Sequence, residues 1–447
     1  MNYRLFLIKV YSNLFTPSKA FEKWKNGLDK TQWLSDSELS EIQEEKLKNI
    51  LIYTAENVEI FSEIKSKIKV NSNGKENLAK FPITDKDFYR KASKKCISKN
   101  ATKYNYHKNS TSGSTGESFF FYLDINRQGW GAAAKYRTDS FTGVKPHHSR
   151  ASLWGASFEK PDKKSLKTVI RDFLTPFTFL SSYDLSIESI IRYVAILKKE
   201  KPRILVSYPT PLVELAEYCK TQNIQFPFLK SIICSSEQMF DFQRNIIEET
   251  FKVPVFNRYG TREFGSIAQE CKYHNGLHVN SERMYIEILN DKDEPCEDGE
   301  MGQLVITDLD NKVMPLIRYR VGDLASWSEI KKCSCGRGLP LLKKIEGRAF
   351  DVVRTPNGKV ISGTFWTLLI RYISDEIKSF QVVQDEVESI TIKIEMIKRK
   401  NLSKENVDIL ISKIKEKDEN LKIKVEFCEK IELTRSGKRR FVVSNVK

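Results

Sequence analysis

Between about residues 150 and 260 the chain alternates short apolar runs with amphipathic stretches, and this alternation limits the possible folds more than any other feature. The runs Ala151–Gly155, Ile204–Ser207, Ser231–Cys234 and Val253–Phe256 are rich in Val, Ile, Leu and other apolar residues. Between them lie Ser186–Lys199, Pro211–Thr221 and Phe240–Phe251, with apolar residues at helical spacing. Strands buried on both faces and linked by helices of about a dozen residues are expected to form βαβ units and a parallel sheet.

The flanks differ. Upstream, after Ser37 and Ser40, Glu41–Asn57 places Ile42, Leu47, Ile50, Leu51 and Ala55 near a 3.6-residue period, which predicts a helix. Beyond residue 280, Met284–Leu289, Gln303–Thr307 and Ile317–Tyr319 are separated by charged turns and read as strands. A hinge is expected near residues 347–351. Past it, Pro356-Asn357-Gly358 predicts a hairpin between Asp351–Arg354 and Lys359–Ser362. A helix near Thr364–Ile373, strands Phe380–Val383 and Ser389–Glu395, a helix near Lys404–Lys417 and a strand Lys422–Phe427 follow. The expected architecture is α/β. A large N-terminal domain, 1–346, combines βαβ sheets with a β-rich subdomain, and a small mobile α+β domain spans 347–447.

Composition narrows the function. A chain of 447 residues, 40% hydrophobic, can bury a large core and should hold at least two domains. No apolar run approaches the length of a membrane span, and the start MNYRLFLIKVYSNLF lacks a small-residue cleavage site. Eight cysteines are sparse for this length, and Cys333-Ser334-Cys335 is the one cluster, which suits a reducing cytoplasm. The net charge of +16 comes from dispersed lysines, without a zinc-finger, RRM or aromatic-basic repeat, so it reads as a solvated surface rather than a nucleic-acid face. A polyanionic substrate or a membrane-associated complex is the alternative use of that charge.

The chemistry is carried by ordered motifs. Between two strand-like segments, Ser110 is followed by Thr111, Ser112, Gly113, Ser114, Thr115, Gly116 and Glu117. Such a turn converges backbone N–H groups and hydroxyls on an anion. It lacks the Gly-Lys-Ser/Thr of a Walker loop, so positive charge must come from elsewhere. Ser235-Ser236-Glu237 and Tyr259-Gly260-Thr261-Arg262-Glu263 follow consecutive expected strands, where open α/β sheets bind ligands. A carboxylate such as Glu263 suits Mg²⁺, and a tyrosine ring such as Tyr259 can stack on a base. Asp323, after Gly322, suits ribose hydroxyls. Gly347-Arg348-Ala349-Phe350-Asp351 falls at the hinge, and Ser436-Gly437-Lys438 places a lysine near the C-terminus.

Taken together, these six motifs resemble the adenylate-forming superfamily, and within it the phenylacetate–CoA ligase-like branch that includes CapK capsule-biosynthesis proteins. The resemblance covers nearly the whole chain. It implies that Thr111–Gly116 handles the ATP phosphates, Ser235, Ser236 and Glu237 line the adenine pocket, Tyr259 and Gly260 sit against adenine, and Glu263 binds magnesium. Asp323 would hold the ribose, Arg348 would contact the nucleotide, Asp351 would be the hinge, and Lys438 would serve adenylate formation from the second domain. Arg262 departs from the superfamily pattern, which has threonine before the motif glutamate. Its paired donors suit a phosphate or an acidic substrate.

The implied reaction activates a carboxylate, or a sugar acid, with ATP and Mg²⁺ as an acyl-adenylate, and passes the acyl group to an acceptor. An amine would give an amide in surface-polysaccharide biosynthesis, with peripheral association with that machinery; coenzyme A would give a thioester. A non-catalytic nucleotide- or polyanion-binding protein is the reading from another class.

Cys333-x-Cys335 and Gly336 form a knuckle-like turn that, with Cys271 and a histidine, would complete a closed, structural Zn²⁺ site. Spacing leaves His274 and His278 both open. The Gly-Leu-His278 placement resembles the ligand position in zinc-bearing relatives of this branch, which selects His278.

Overall fold

The computed structural model describes residues 18–111, 119–124, 126–144, 148–155, 177–182, 185–346, 353–358, 360–361, 365–366, 369–370, 373–374, 376–397, 402–432 and 440–446. Two compact units emerge, dividing at Ile345/Glu346, with Gly322–Leu324 grouped with the second unit.

In the first unit, β1 (Tyr106–Thr111) and β2 (Phe119–Asp124) form an antiparallel hairpin with Thr111 opposite Phe119. The main sheet contains β3 (Arg150–Trp154), β4 (Phe177–Ser181), β5 (Ile204–Ser207), β6 (Ser231–Ser235), β7 (Val255–Thr261), β8 (Gly265–Glu270), β9 (Leu277–Val279), β10 (Met284–Leu289), β11 (Gly302–Asp308), β12 (Tyr319–Trp327) and β13 (Leu341–Glu346). Their order is β10-β11-β12-β13-β9-β8-β7-β6-β5-β3-β4. From β4 to β7 all neighbours are parallel, and from β7 through β8 to β9 they are antiparallel.

The parallel half follows the expectation from sequence, because its physics is local. Every residue of β5 and β6 is buried, as a strand covered on both faces requires. The helices between them start where the side chains allow. Ser186 caps Ile187–Glu200 through the backbone N–H of Ser189, and Lys201, at φ 48°, closes it. Pro209 opens Pro209–Thr221, where its missing N–H costs nothing. Leu205, Leu212, Leu215, Ile232, Ile247 and Val255 fill one face of this half, and Ile204, Val206, Ile233 and Phe256 the other.

Three differences from the sequence reading have physical causes. The helix expected over Glu41–Asn57 starts at Asp36, because Ser35 and Glu38 form a capping box. The strand expected at Ile317–Tyr319 runs instead from Tyr319 to Trp327; its half-buried middle, Arg320–Leu324, mixes charge and glycine and shows no alternation. Phe177–Ser181, Gly265–Glu270, Leu277–Val279 and Leu341–Glu346 are strands that sequence did not separate from loop.

The second unit holds the hairpin β14 (Val353–Arg354) and β15 (Val360–Ile361), with Gly358 at φ 76° in its turn. Its sheet joins β16 (Ile377–Glu386), β17 (Ser389–Met396), β18 (Lys422–Cys428) and β19 (Val442–Ser444) in the order β18-β17-β16-β19, with helix Lys404–Lys415 preceding β18. Buried Gln384 clamps the hairpin by accepting from Arg354 N at 3.0 Å and donating to Arg354 O at 2.6 Å. Among the described residues no helix is long and apolar enough to cross a membrane.

Candidate active site

The parallel register sets Leu153, Ser207, Cys234 and Asn257 in one row across the sheet. The next row, Trp154, Tyr208, Ser235 and Arg258, stands at the carboxyl rim, the usual ligand edge of such sheets. The Trp154 and Tyr208 rings meet with centroids 4.2 Å apart. After Ser235, Ser236 adopts a left-handed φ of 69°. Glu237 then accepts from the Thr210 backbone N–H at 3.2 Å, placing its carboxylate at the start of helix Pro209–Thr221.

The Tyr259–Glu263 segment is shaped by close backbone packing. A bulge separates Tyr259 from Gly260, and a Cβ at Gly260 would lie 2.4 Å from Gly265 O, so only glycine fits. Arg262 Nη1 donates to the Ser110 carbonyl at 2.9 Å. This bond fastens the β7–β8 turn to the strand that leads into the Ser/Thr/Gly loop, across a sequence separation of 152 residues. Glu263 is 5% exposed and accepts from Tyr319 Oη at 3.3 Å. Burial and the Glu263 carboxylate push the Tyr319 hydroxyl above its ordinary value, so it stays a proton donor. Tyr319 was not singled out from sequence; an isolated tyrosine at a strand start carries no signal. Asp323 is half-buried on β12.

The structure thus places Glu237, Tyr259, Gly260, Arg262 and Glu263 and the root of the loop, Ser110–Thr111. Ser112, Gly113, Ser114, Thr115, Gly116, Arg348, Asp351 and Lys438 lie outside the described residues, as does the side chain of Thr111.

A second cluster gathers Cys271, just past β8, His278 on β9, and Cys333 and Cys335 in a turn whose Gly336 has φ 81°. Their ligand atoms all lie within 4.8 Å of one another. Cys271 Sγ and Cys333 Sγ are 3.6 Å apart, and Cys335 Sγ lies 3.4 Å from His278 Nε2. A tetrahedron with Zn–S bonds of about 2.3 Å has S–S edges of roughly 3.8 Å, so the donor set fits zinc. Burial and the Arg337 guanidinium push the His278 imidazole down to about 4, leaving it neutral and able to ligate. Burial raises the Cys335 thiol, but hydrogen bonds from Arg337 outweigh it and hold the thiol below its ordinary value. His274 lies apart from this cluster. Its Nδ1 is 3.0 Å from Glu270, and its ring stacks on Phe256 at 5.1 Å.

Fold and site together point to a class that the chain resembles, the adenylate-forming superfamily, in the branch that holds the phenylacetate–CoA ligases and CapK. Residues 353–445 match the CapK C-terminal domain. Protein CapK of Staphylococcus aureus is 26% identical over 425 residues, covering 92% of this chain and 90% of that protein. Phenylacetate-coenzyme A ligase of Thermus thermophilus is 27% identical over 168 residues, 36% of this chain and 38% of that one. The crystal structure of 2-hydroxyisobutyryl-CoA ligase in the postadenylation state with 2-HIB-AMP shares the fold with a TM-score of 0.70, at 17% identity, over 93% of this chain and 92% of that one.

Proposed function

We propose that this protein is an ATP-dependent, AMP-forming ligase that activates a carboxylic acid as its acyl-adenylate and transfers the acyl group to an amine, in the cytoplasm, during synthesis of a surface polysaccharide. The observation that carries the reading is the bond from Arg262 to the Ser110 carbonyl. It brings the Tyr259–Glu263 turn to the mouth of the glycine-hydroxyl loop, as an ATP site shared between those two motifs requires.

A carboxylate is a poor electrophile because its leaving group would be oxide. One carboxylate oxygen attacks the α-phosphorus of ATP, the bond to pyrophosphate breaks, and the acyl carbon gains AMP as a leaving group. The chain's work is positioning and charge neutralisation. Thr111–Gly116 donates to the phosphates, Ser235–Glu237 and Tyr259 hold adenine, Asp323 accepts from the ribose hydroxyls, and Arg348 contacts the nucleotide. Glu263 offers the hard oxygen that Mg²⁺ takes, and the ion would neutralise phosphate charge. Lys438 completes the phosphate pocket in the adenylating state. Rotation about Asp351 then withdraws it so that the acceptor reaches the carbonyl. Cys271, His278, Cys333 and Cys335 would hold a structural zinc, which would cross-link their segments.

Resemblance to the CapK branch supports the polysaccharide role, and an amide on a uronic acid suits the basic surface. Coenzyme A as acceptor is the competing reading, since phenylacetate–CoA ligases share the branch. The test is carboxylate-dependent exchange of pyrophosphate into ATP over a panel of acids, with Lys438→Ala beside it. Exchange should appear for a subset of acids and fall by at least about 100-fold in the variant, the loss of a charged contact made in the transition state. Undiminished exchange rejects the assignment. AMP release that responds to coenzyme A and ignores every amine rejects amide formation.

A further inference from the structure

One face of the parallel sheet carries more buried positive charge than the described residues around it compensate. By strand alternation Arg258 shares a face with Phe256, and Arg150 with Trp154; this is the face that also bears Val206 and Ile233. Helix Asn126–Ser140 contributes one carboxylate to it, Asp139. Its Oδ2 lies 2.7 Å from Arg150 Nη2 and its Oδ1 3.6 Å from Arg258 Nη1. The three side chains are 3%, 14% and 11% exposed respectively. One helical turn before Asp139, Lys135 interacts with the same three groups.

Three cations against one carboxylate leave a surplus of two positive charges, and no further carboxylate among the described residues bears on Lys135 or Arg258. For the two largely buried guanidiniums, which share the single carboxylate of Asp139, separation from water makes the unpaired charge costly. Arg258 Nη1 is closed off from solvent and has no hydrogen-bond acceptor among the described residues, since Asp139 is beyond reach at 3.6 Å. Lys135 is exposed along its side chain, yet burial, and then Arg258 and Arg150, push its ammonium down to about 8. Lys135 thus reaches solvent from beside the two guanidiniums.

This cationic group borders the site already described. Arg258 pairs in register with Ser235 and immediately precedes Tyr259, and its row ends in the Trp154–Tyr208 ring pair. The turn fastened to the phosphate loop begins on the far side of Tyr259 from Arg258, at Gly260.

We propose that the carboxylic acid taken by this protein carries a second anionic group, a carboxylate or a phosphate, held by Arg258 and Lys135 beside an aromatic wall of Trp154 and Tyr208. The inference rests on the acyl-activation reading and names the substrate class for that same site. A charged pair of donors made for one ligand and absent for its neutral analogue discriminates by roughly ten- to hundredfold.

The test uses matched acids on the full-length protein: glutarate against its monoamide, and glucuronate 1-phosphate against glucuronate. Each is measured by calorimetric binding and by pyrophosphate exchange. In one pair the member with the second anion should bind at least about tenfold tighter and show a higher kcat/KM; which pair does so distinguishes carboxylate from phosphate. Lys135→Met should erase that advantage, chiefly through KM, while leaving the singly anionic partner and ATP binding unchanged. Arg258→Gln should do the same more strongly, and Lys135→Met decides if Arg258→Gln fails to fold. Equal binding within both pairs overturns the proposal. So does a Lys135→Met variant that weakens ATP and keeps the pair ratio, which would assign the charge to the nucleotide. Discrimination in binding with no exchange from any acid would sink acyl activation and leave the anion site standing; exchange without discrimination would do the reverse.

Discussion

Arg262 and Glu263 are adjacent, yet they are held by opposite means. Arg262 is exposed and reaches a backbone carbonyl, whereas Glu263 is buried and accepts a hydrogen bond from the Tyr319 hydroxyl. Replacing Arg262 with methionine should therefore leave the melting temperature nearly unchanged and raise the KM for ATP by roughly tenfold, about the effect of one charge-assisted hydrogen bond. Steady-state kinetics with a thermal melt checks both parts; a large fall in melting temperature would assign Arg262 to the fold instead. Tyr319→Phe removes the donor to a buried carboxylate, and should raise the Mg²⁺ concentration needed for half-maximal exchange by several-fold, read by titrating the metal.

At the scale of elements, backbone approach and polar clamps decide what each segment tolerates. Gly260→Ala drives a Cβ into the Gly265 carbonyl, so the β7–β8 turn must open. The expected result is a loss of at least about 2 kcal/mol, measured by denaturant unfolding, with exchange activity falling alongside. In the second unit, Gln384→Leu strands both the N–H and the C=O of Arg354, and should cost about 2–4 kcal/mol. The Cys271–His278–Cys333–Cys335 cluster draws on β9 and on segments flanking β8 and preceding β13. Purified protein should carry about one zinc per chain. Cys333→Ser should lower that occupancy, measured by elemental analysis, and cut the melting temperature by several degrees.

For the whole molecule, the Cys/His cluster and the candidate active site answer to different parts of the sequence. The parallel half was legible because strand burial, helix period and caps act within about a dozen residues. Ile204–Ser207 falls where the pattern placed it, and in the antiparallel half so does Met284–Leu289. The antiparallel half was harder to read. Short strands such as Leu277–Val279 are specified by the partners they pair with, and Tyr319–Trp327 by a sheet that forms around its polar middle. The order of the motifs marked the superfamily before any coordinates. Spacing left both histidines open and the resemblance selected His278; the fold gathers His278 with the thiols, while His274 turns to Glu270.

Sequence alone determined the chemistry on offer: a glycine-hydroxyl turn without its own lysine, an ordered set of acids and aromatics, and a paired-thiol turn. It did so because backbone permissiveness, donor type and strand or helix period are properties of short segments. Tertiary structure decided what those groups face. Arg262 meeting Ser110, Tyr319 meeting Glu263, and Lys135, Arg150 and Arg258 crowding one Asp139 all join residues that are mostly distant along the chain. Such encounters are set by sheet register and by the face each strand turns to the helices, and only the assembled sheet supplies both.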